Sequence, residues 1–378
     1  MECYICGNKG VKEILNKPDT TLWTNSSDSS NRTRKYKCII FQCNHCGHVF
    51  QPMSEGLLNI LNEIYLSNQA YLSTPMGRGN WGLERADNFL KTFTKIVDFK
   101  NCKTILEIGC ADGFLLQHLK NTFNGLTELV GIEPSIDKTK QINGLTLLKD
   151  FANTNLKLNK CFDLIFSVGV FEHIENINDI MLFCNNHIKD DGKLFICVPD
   201  AKEQLKNGDP ALFTHQHIHC FTEESVSYLL STHGFEITSL TKTQDSLNVY
   251  CKKKYLPEKS YPKMISYDDY SAKLDNILKR IENTLSRNDC VMIHGVNNSL
   301  NNILNWLQKD FNFVLIDNDS TKHGKKFFGR TVKSVDDVNL SNYSALLIIP
   351  SAYYEKIKAD YIDRGFNDKI ETVIDECR

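Results

Sequence analysis

From residue 103 onward, short apolar runs alternate with segments whose apolar residues recur at three- and four-residue spacing. Lys103-Thr-Ile-Leu-Glu-Ile-Gly109 is a run of the first kind. Cys110-Ala-Asp-Gly113 follows it, and then the helical pattern Phe114-Leu-Leu-Gln-His-Leu-Lys120. That order predicts a strand, a glycine turn and a helix. Further strand-like runs lie at 129–133, 145–150, 162–169 and 191–199, the second strand ending in Glu133 and the third in Asp150. Strands alternating with helices predict a doubly wound parallel sheet. Thr222 before Glu223 and Glu224 predicts an N-capped helix over 223–233. Runs at 290–295, 312–317 and 345–350 predict a second, smaller α/β unit with a single glycine, Gly295, in its first turn. The fold class expected is α/β, in three consecutive segments: 1–70, 71–252 and 253–378.

A chain of 378 residues is long enough for two or three domains. Lys and Arg number 44 against 46 Asp and Glu, so no strongly basic face for nucleic acid is indicated. No apolar run approaches the roughly 18–20 residues that cross a bilayer, so membrane insertion is not expected. The N-terminal residues do not read as a secretory signal, and a cytoplasmic location is expected.

Fourteen cysteines is a high count. Most are scattered along apolar segments and read as small buried side chains. Five crowd the N-terminal segment, four of them in two CxxC pairs, Cys3/Cys6 and Cys43/Cys46, each followed by glycine. Such pairs are zinc knuckles: a tight turn presents two thiolates, and two turns supply a closed, structural Zn²⁺ site. Cys38 and His45 rank below these four as ligands. A redox cysteine cluster and a nucleic-acid-binding ribbon are the competing readings.

The glycines of the 107–113 turn let the backbone approach a ligand, and Glu133 lies about 20 residues further on, where a ribose-binding carboxylate belongs. Glu172 and His173, after the fourth strand, read as capping or fold-holding residues. His215, His217 and His219 alternate and would share one side of an extended segment. That invites a metal reading, but the sequence pattern offers no companion carboxylate.

Glu107, Gly109 and Gly113 match the first motif of class I methyltransferases, which this chain resembles over about residues 84–250. The resemblance implies S-adenosylmethionine as cofactor, with Glu107, Gly109, Cys110, Gly113, Glu133 and Asp150 as its binding set. Glu133 would pair with the ribose hydroxyls and Asp150 would read the adenine amino group. Asp163 fits the usual acid near the start of the fourth strand. The double CxxC, the class I core and the C-terminal α/β unit together resemble the nucleotide-sugar C-methyltransferases of deoxysugar and surface-polysaccharide biosynthesis. That family carries Tyr-His-Glu-His after the fifth strand, where this chain has Thr214-His215-Gln216-His217. The resemblance makes His217 the proton acceptor, with His215 and Tyr71 as further catalytic candidates; Tyr65 lies in the same tyrosine-bearing segment. Gln216 in place of Glu leaves the acceptor atom open among oxygen, carbon and nitrogen. A small-molecule partner is implied, a nucleotide-activated sugar first, with the protein a monomer or homodimer. The alternative is a protein or RNA methyltransferase that uses the zinc unit as a reader.

Overall fold

The computed structural model describes residues 1–23, 34–67, 76–243, 245–254, 264–287 and 290–374. The chain forms two compact units, each drawn from three stretches of the sequence. One comprises Met1–Lys12, Phe41–Lys202 and Gln216–Ser266; the other comprises Glu13–Ile40, Glu203–His215 and Tyr267–Arg378. Tyr71 lies outside the described residues.

The first unit is built on a sheet of β1 (Thr104–Ile108), β2 (Glu128–Ile132), β3 (Leu145–Leu148), β4 (Phe162–Val168), β5 (Ile188–Pro199), β6 (Phe235–Lys242) and β7 (Ser246–Lys253). Their order is β6-β7-β5-β4-β1-β2-β3, with the short strand Lys140–Ile142 at the edge beyond β3. Strands β1 to β5 pair in parallel, and β7 and β6 add antiparallel. Successive residues face opposite sides of each strand, and both sides are buried. Leu106, Ile108, Val130, Ile165 and Ile196 enter one core, while Ile105, Leu129, Leu164, Phe166 and Phe195 enter the other. This double burial explains why the runs read as continuous apolar stretches.

Helix α1 (Glu55–Leu66) is capped by the Ser54 hydroxyl, which accepts from Leu57 N. Helix α2 (Gly79–Ile96) turns Ala86, Phe89, Leu90 and Phe93 inward at helical spacing. The Phe93 ring lies 4.7 Å from that of Phe195 and 5.1 Å from that of Phe166. Helices α3 (Phe114–Thr122), α4 (Ile177–His187) and α5 (Glu223–Thr232) complete the layers. The expected Thr222 cap is present as a reciprocal pair with Ser225.

Asp163, at the start of β4, is a joint in the sheet. Its Oδ2 accepts from Lys103 N (2.9 Å), Thr104 N (2.8 Å) and Thr104 Oγ1 (2.9 Å), and its Oδ1 meets Lys189 Nζ at 2.7 Å. Burial alone would raise its pKa, but the bonds from Lys189, Lys103 and Thr104 outweigh that and hold it at about 2. Its contribution is therefore complete above the ordinary aspartate pKa near 4 and is lost as the pH falls from there through 2. Asp163→Asn is expected to cost about 1–2 kcal/mol at pH 7 after allowance for solvent screening. The difference from wild type should shrink below pH 4 and vanish only below pH 2, read as the denaturant midpoint across pH.

The second unit carries β8 (Val291–His294), β9 (Phe313–Ile316), β10 (Arg330–Lys333), β11 (Ala345–Ile348) and β12 (Lys369–Thr372). They lie in the order β10-β9-β8-β11-β12, all parallel. Helices α6 (Tyr270–Arg287), α7 (Asn298–Leu307) and α8 (Tyr354–Asp363) accompany them. Buried asparagines on α7 bind the two earlier chain segments into this unit. Asn302 Nδ2 donates to Pro210 O (2.8 Å) and Phe213 O (2.7 Å), Asn301 Nδ2 donates to Thr21 O (3.0 Å), and Thr21 Oγ1 donates to Asn305 Oδ1 (2.9 Å). The turn after β8 is closed from within. Asp317 Oδ2 accepts from Val296 N (2.8 Å) and Lys322 Nζ (2.9 Å), and a Cβ on Gly295 would sit 2.5 Å from Pro350.

Candidate active site

In a doubly wound sheet, ligands bind beyond the carboxyl ends of the strands where the strand order reverses. In the first unit that point lies between β1 and β4. A cavity of ≈ 1200 Å³ opens there, lined from the exits of β1 through β5 and from α1 and α2.

Five of the six residues expected at a cofactor line it: Glu107, Gly109, Cys110, Glu133 and Asp150. Gly109 has φ +78°, and a Cβ on it would lie 2.3 Å from Val170 Cγ2, so no other residue fits the turn. Its N–H donates to Ile132 O at 2.8 Å, which ties the β1 exit to β2. Glu133 holds the turn from the other side: Oε2 accepts from Ala111 N (3.1 Å) and Oε1 from Ser135 N (3.0 Å). A carboxylate has about four lone-pair sites, so hydroxyl donors are still accommodated. Cys110 lines the cavity, but its buried thiol packs over Gly131, where a Cβ would meet Sγ at 2.4 Å. Asp150 is exposed at the rim, its Oδ1 accepting from Phe151 N at 2.8 Å. Gly113 is the sixth. It does not line the cavity; at φ +86° it is the N-cap of α3, closed over by Leu145 and Leu147.

Glu107 is buried, and its Oε2 lacks a hydrogen-bond partner. Burial first, then the nearby Glu133 and Asp112, push its pKa well above the ordinary glutamate value. A cationic ligand would remove both penalties. The ammonium and sulfonium of S-adenosylmethionine are such cations, so the residues present fit that cofactor. Gly109→Ala is expected to abolish measurable cofactor binding in calorimetry, because the displaced Val170 and the strained φ distort the turn itself.

The segment of alternating histidines turns at His215–Gln216 and becomes a strand only at His219–Cys220, so the three rings do not share a side. His217 lines the cavity, with its carbonyl held by Gln51 Nε2 at 2.6 Å. His215 belongs to the second unit, where Nε2 meets Tyr36 O at 3.3 Å and the ring packs edge-on to Phe213 and Tyr36. His219 is a buried framework group: Nε2 meets Ile174 O at 2.8 Å and Nδ1 meets His48 Nε2 at 2.9 Å. Burial holds His217 well below the ordinary histidine value, with His173 adding to the effect.

Three further polar residues line the same cavity: Glu172, His173 and Tyr65. A short 3₁₀ turn, Phe171–His173, carries the first two out of β4. The His173 ring lies 4.9 Å from that of His217, its Nδ1 meets Gln216 O at 2.7 Å, and its Nε2 is 3.7 Å from Glu172 Oε1. Burial depresses His173 to about 4 and raises Glu172 to about 8. The Tyr65 hydroxyl is buried, and its ring lies 5.9 Å from that of His173. Glu172 thus brings a carboxyl group from the β4 exit to the histidine pair, where the sequence carries Gln216.

At the N-terminus the two CxxC turns meet. Cys3 Sγ lies 3.6 Å from Cys46 Sγ, and Cys6 Sγ lies 3.6 Å from Cys43 Sγ. The turns are alike: Gly7 N donates to Cys3 O and Gly47 N to Cys43 O, with both glycines at positive φ. All four sulfurs lie within 4.8 Å of one another. Tetrahedral Zn–S bonds of about 2.3 Å place sulfurs roughly 3.8 Å apart, so the set is compatible with zinc. Cys38 and His45 are not part of it. Cys3, Ile5, Cys43 and Cys46 join the core that β1 and β2 bury, and Asn178 Nδ2 on α4 donates to Tyr4 O at 2.8 Å.

Residues 83–240 match the family model described as a methyltransferase domain, and residues 287–371 match one described as C2185-like, N-terminal. Among curated proteins, the chain is 26% identical over 157 residues to the tRNA U34 carboxymethyltransferase of Shewanella frigidimarina (strain NCIMB 400), covering 39% of this chain and 42% of that protein. It is 20% identical over 262 residues to the C-methyltransferase NovU of Streptomyces niveus, covering 63% of this chain and 57% of that protein. The chain thus spans about half the length of the curated relatives it matches. Among solved structures, the plantazolicin methyltransferase BpumL, in complex with a pentazolic desmethylPZN analogue and SAH, aligns at 13% identity and TM-score 0.36, over 53% of this chain and 100% of that one. Among the described residues, no helix is long and apolar enough to cross a membrane.

Proposed function

We propose that this chain is an S-adenosylmethionine-dependent methyltransferase acting on a small molecule, a nucleotide-activated sugar or a related metabolite of surface-glycan or secondary metabolism. The observation that carries the reading is one cavity of the first unit. Glu107, Gly109, Glu133 and Asp150 line it from the exits of β1, β2 and β3, and Glu172, His173 and His217 line it as well. The match of residues 83–240 to a methyltransferase domain supports it.

When bound, S-adenosylmethionine supplies an electrophilic methyl group on a sulfonium sulfur. Glu107 would meet the cofactor's positive charge, Glu133 would take the ribose hydroxyls and Asp150 the adenine amino group. The acceptor lies against His217, and its proton is taken up at the cluster of His217, His173 and Glu172. Both imidazoles are held neutral by burial, so each keeps a free electron pair at neutral pH. Positioning of the two reactants supplies most of the remaining rate. The four N-terminal cysteines would hold a structural zinc ion that braces the first unit's core.

The near-neutral overall charge favours small molecules over RNA. The test is incubation of the full chain with S-adenosylmethionine and a panel of nucleotide-activated sugars, read by mass spectrometry. A gain of one methyl on one donor is expected. Tight cofactor binding with no methylated sugar would contradict the sugar assignment and direct the search to amines and phosphorylated metabolites.

A further inference from the structure

Glu172, His173 and His217 are two imidazoles and a carboxylate whose ligand atoms all lie within 4.8 Å of one another. We propose that these three residues form a second metal site, distinct from the cysteine cluster, that takes a divalent first-row transition ion in the cavity. Three observations converge on it. Glu172 is 2% exposed, yet its Oε2 has no hydrogen-bond partner while the residue lines a large cavity. An orphaned buried carboxylate oxygen is costly, and a cation beside it would remove that cost. His173 spends Nδ1 on the Gln216 carbonyl, which fixes the tautomer and leaves the lone pair of Nε2 on the side of Glu172, 3.7 Å from Oε1. A backbone carbonyl behind an imidazole is the usual support of a metal-bound histidine. The third observation is the donor set: two imidazole nitrogens and one carboxylate suit Zn²⁺, Fe²⁺ and their neighbours rather than Mg²⁺ or Ca²⁺.

Ligand bonds of about 2.1 Å bring such atoms to about 3–3.5 Å from one another, so binding draws the three side chains together by about 1 Å. Three protein ligands leave positions open, as in catalytic rather than structural sites. The cavity around the cluster is where the methyl acceptor is placed above, and an oxygen of the acceptor would occupy an open position. In that role, which rests on the methyltransferase reading, the ion would lower the pKa of an acceptor hydroxyl so that its proton passes to water and the resulting alkoxide takes the methyl group from the sulfonium; His217 then serves as a ligand of the ion in place of the proton acceptor. The site itself does not depend on that reading.

The test is equilibrium dialysis of the full chain against Co²⁺, with cobalt counted per chain and the visible and near-ultraviolet spectrum recorded. Thiolate-to-cobalt charge transfer reports the cysteine cluster and is not produced by imidazole and carboxylate ligands. Two ions per chain are expected, only one of them with thiolate absorption. Glu172→Gln and His217→Ala should each keep the thiolate-bound ion and weaken the other by at least about 100-fold. A wild-type chain that binds only the thiolate-reported ion, or a second ion that survives both substitutions, would overturn the proposal. Calorimetry with S-adenosylmethionine on the same variants shows that the cofactor side remains folded. If both variants fail that control, the wild-type stoichiometry decides alone. A second cobalt ion in a chain that binds no S-adenosylmethionine would leave the site standing and remove the methyltransferase reading.

Discussion

His217→Ala is expected to lower the turnover of methyl transfer by about 10²–10⁴-fold while leaving the affinity for S-adenosylmethionine nearly unchanged. The split follows from place. Glu107, Gly109 and Glu133 lie at the exits of β1 and β2, whereas His217 stands with His173 and Glu172. Single-turnover rates with saturating cofactor, beside a calorimetric titration, separate the two terms. His215→Ala is the contrast: that ring fills a site between Tyr36 and Phe213 in the second unit, so its loss is expected to lower thermal stability and spare turnover. Equal losses of turnover from both substitutions would remove His217 from its assigned role.

The second large effect is expected at the cysteine cluster. Cys46→Ser, or prolonged chelation, should lower the thermal midpoint by roughly 10 °C or more, equivalent to about 4 kcal/mol or more in a unit of this size. The cost exceeds that of a surface metal site because Cys3, Cys43 and Cys46 are themselves buried in the core packed on β1 and β2. Loss of the ion would leave four thiols crowded in that core and would free the turn whose Tyr4 carbonyl holds α4. Zinc release measured with a colorimetric chelator should run in step with unfolding. A midpoint that does not move after complete metal removal would contradict the structural role.

How much of this could be read from the residues differs by element. The β1 turn was legible because its chemistry is local: Gly109 and Gly113 need positive φ, and Glu107 and Glu133 sit at strand exits whose order the apolar runs reveal. The two CxxC turns were legible for the same reason. The meeting of Glu172, His173 and His217 was not. The alternation of His215, His217 and His219 suggested one face of a strand, but the segment turns, and each ring finds a separate environment. Glu172 and His173 looked like capping residues, since nothing in the sequence near β4 tells that Gln216 and His217, more than 40 positions on, return to meet them. The β4 exit at the strand-order reversal was the one available signal, because residues there face the ligand. The interleaving of the two units was hidden as well. It rests on Asn301 and Asn302, which donate to the backbone carbonyls of Thr21, Pro210 and Phe213, and on Asn305, which accepts from the Thr21 hydroxyl.

The most direct test of the central claim is an isothermal titration of S-adenosylmethionine into the full chain, with Gly109→Ala as its control. The account predicts one cofactor per chain at micromolar affinity and no measurable heat from the variant, in which the added Cβ collides with Val170. A wild-type chain that takes up no cofactor, or a Gly109→Ala chain that binds it as well as wild type, would contradict the placement of the cofactor at the β1 turn, and the methyltransferase reading with it.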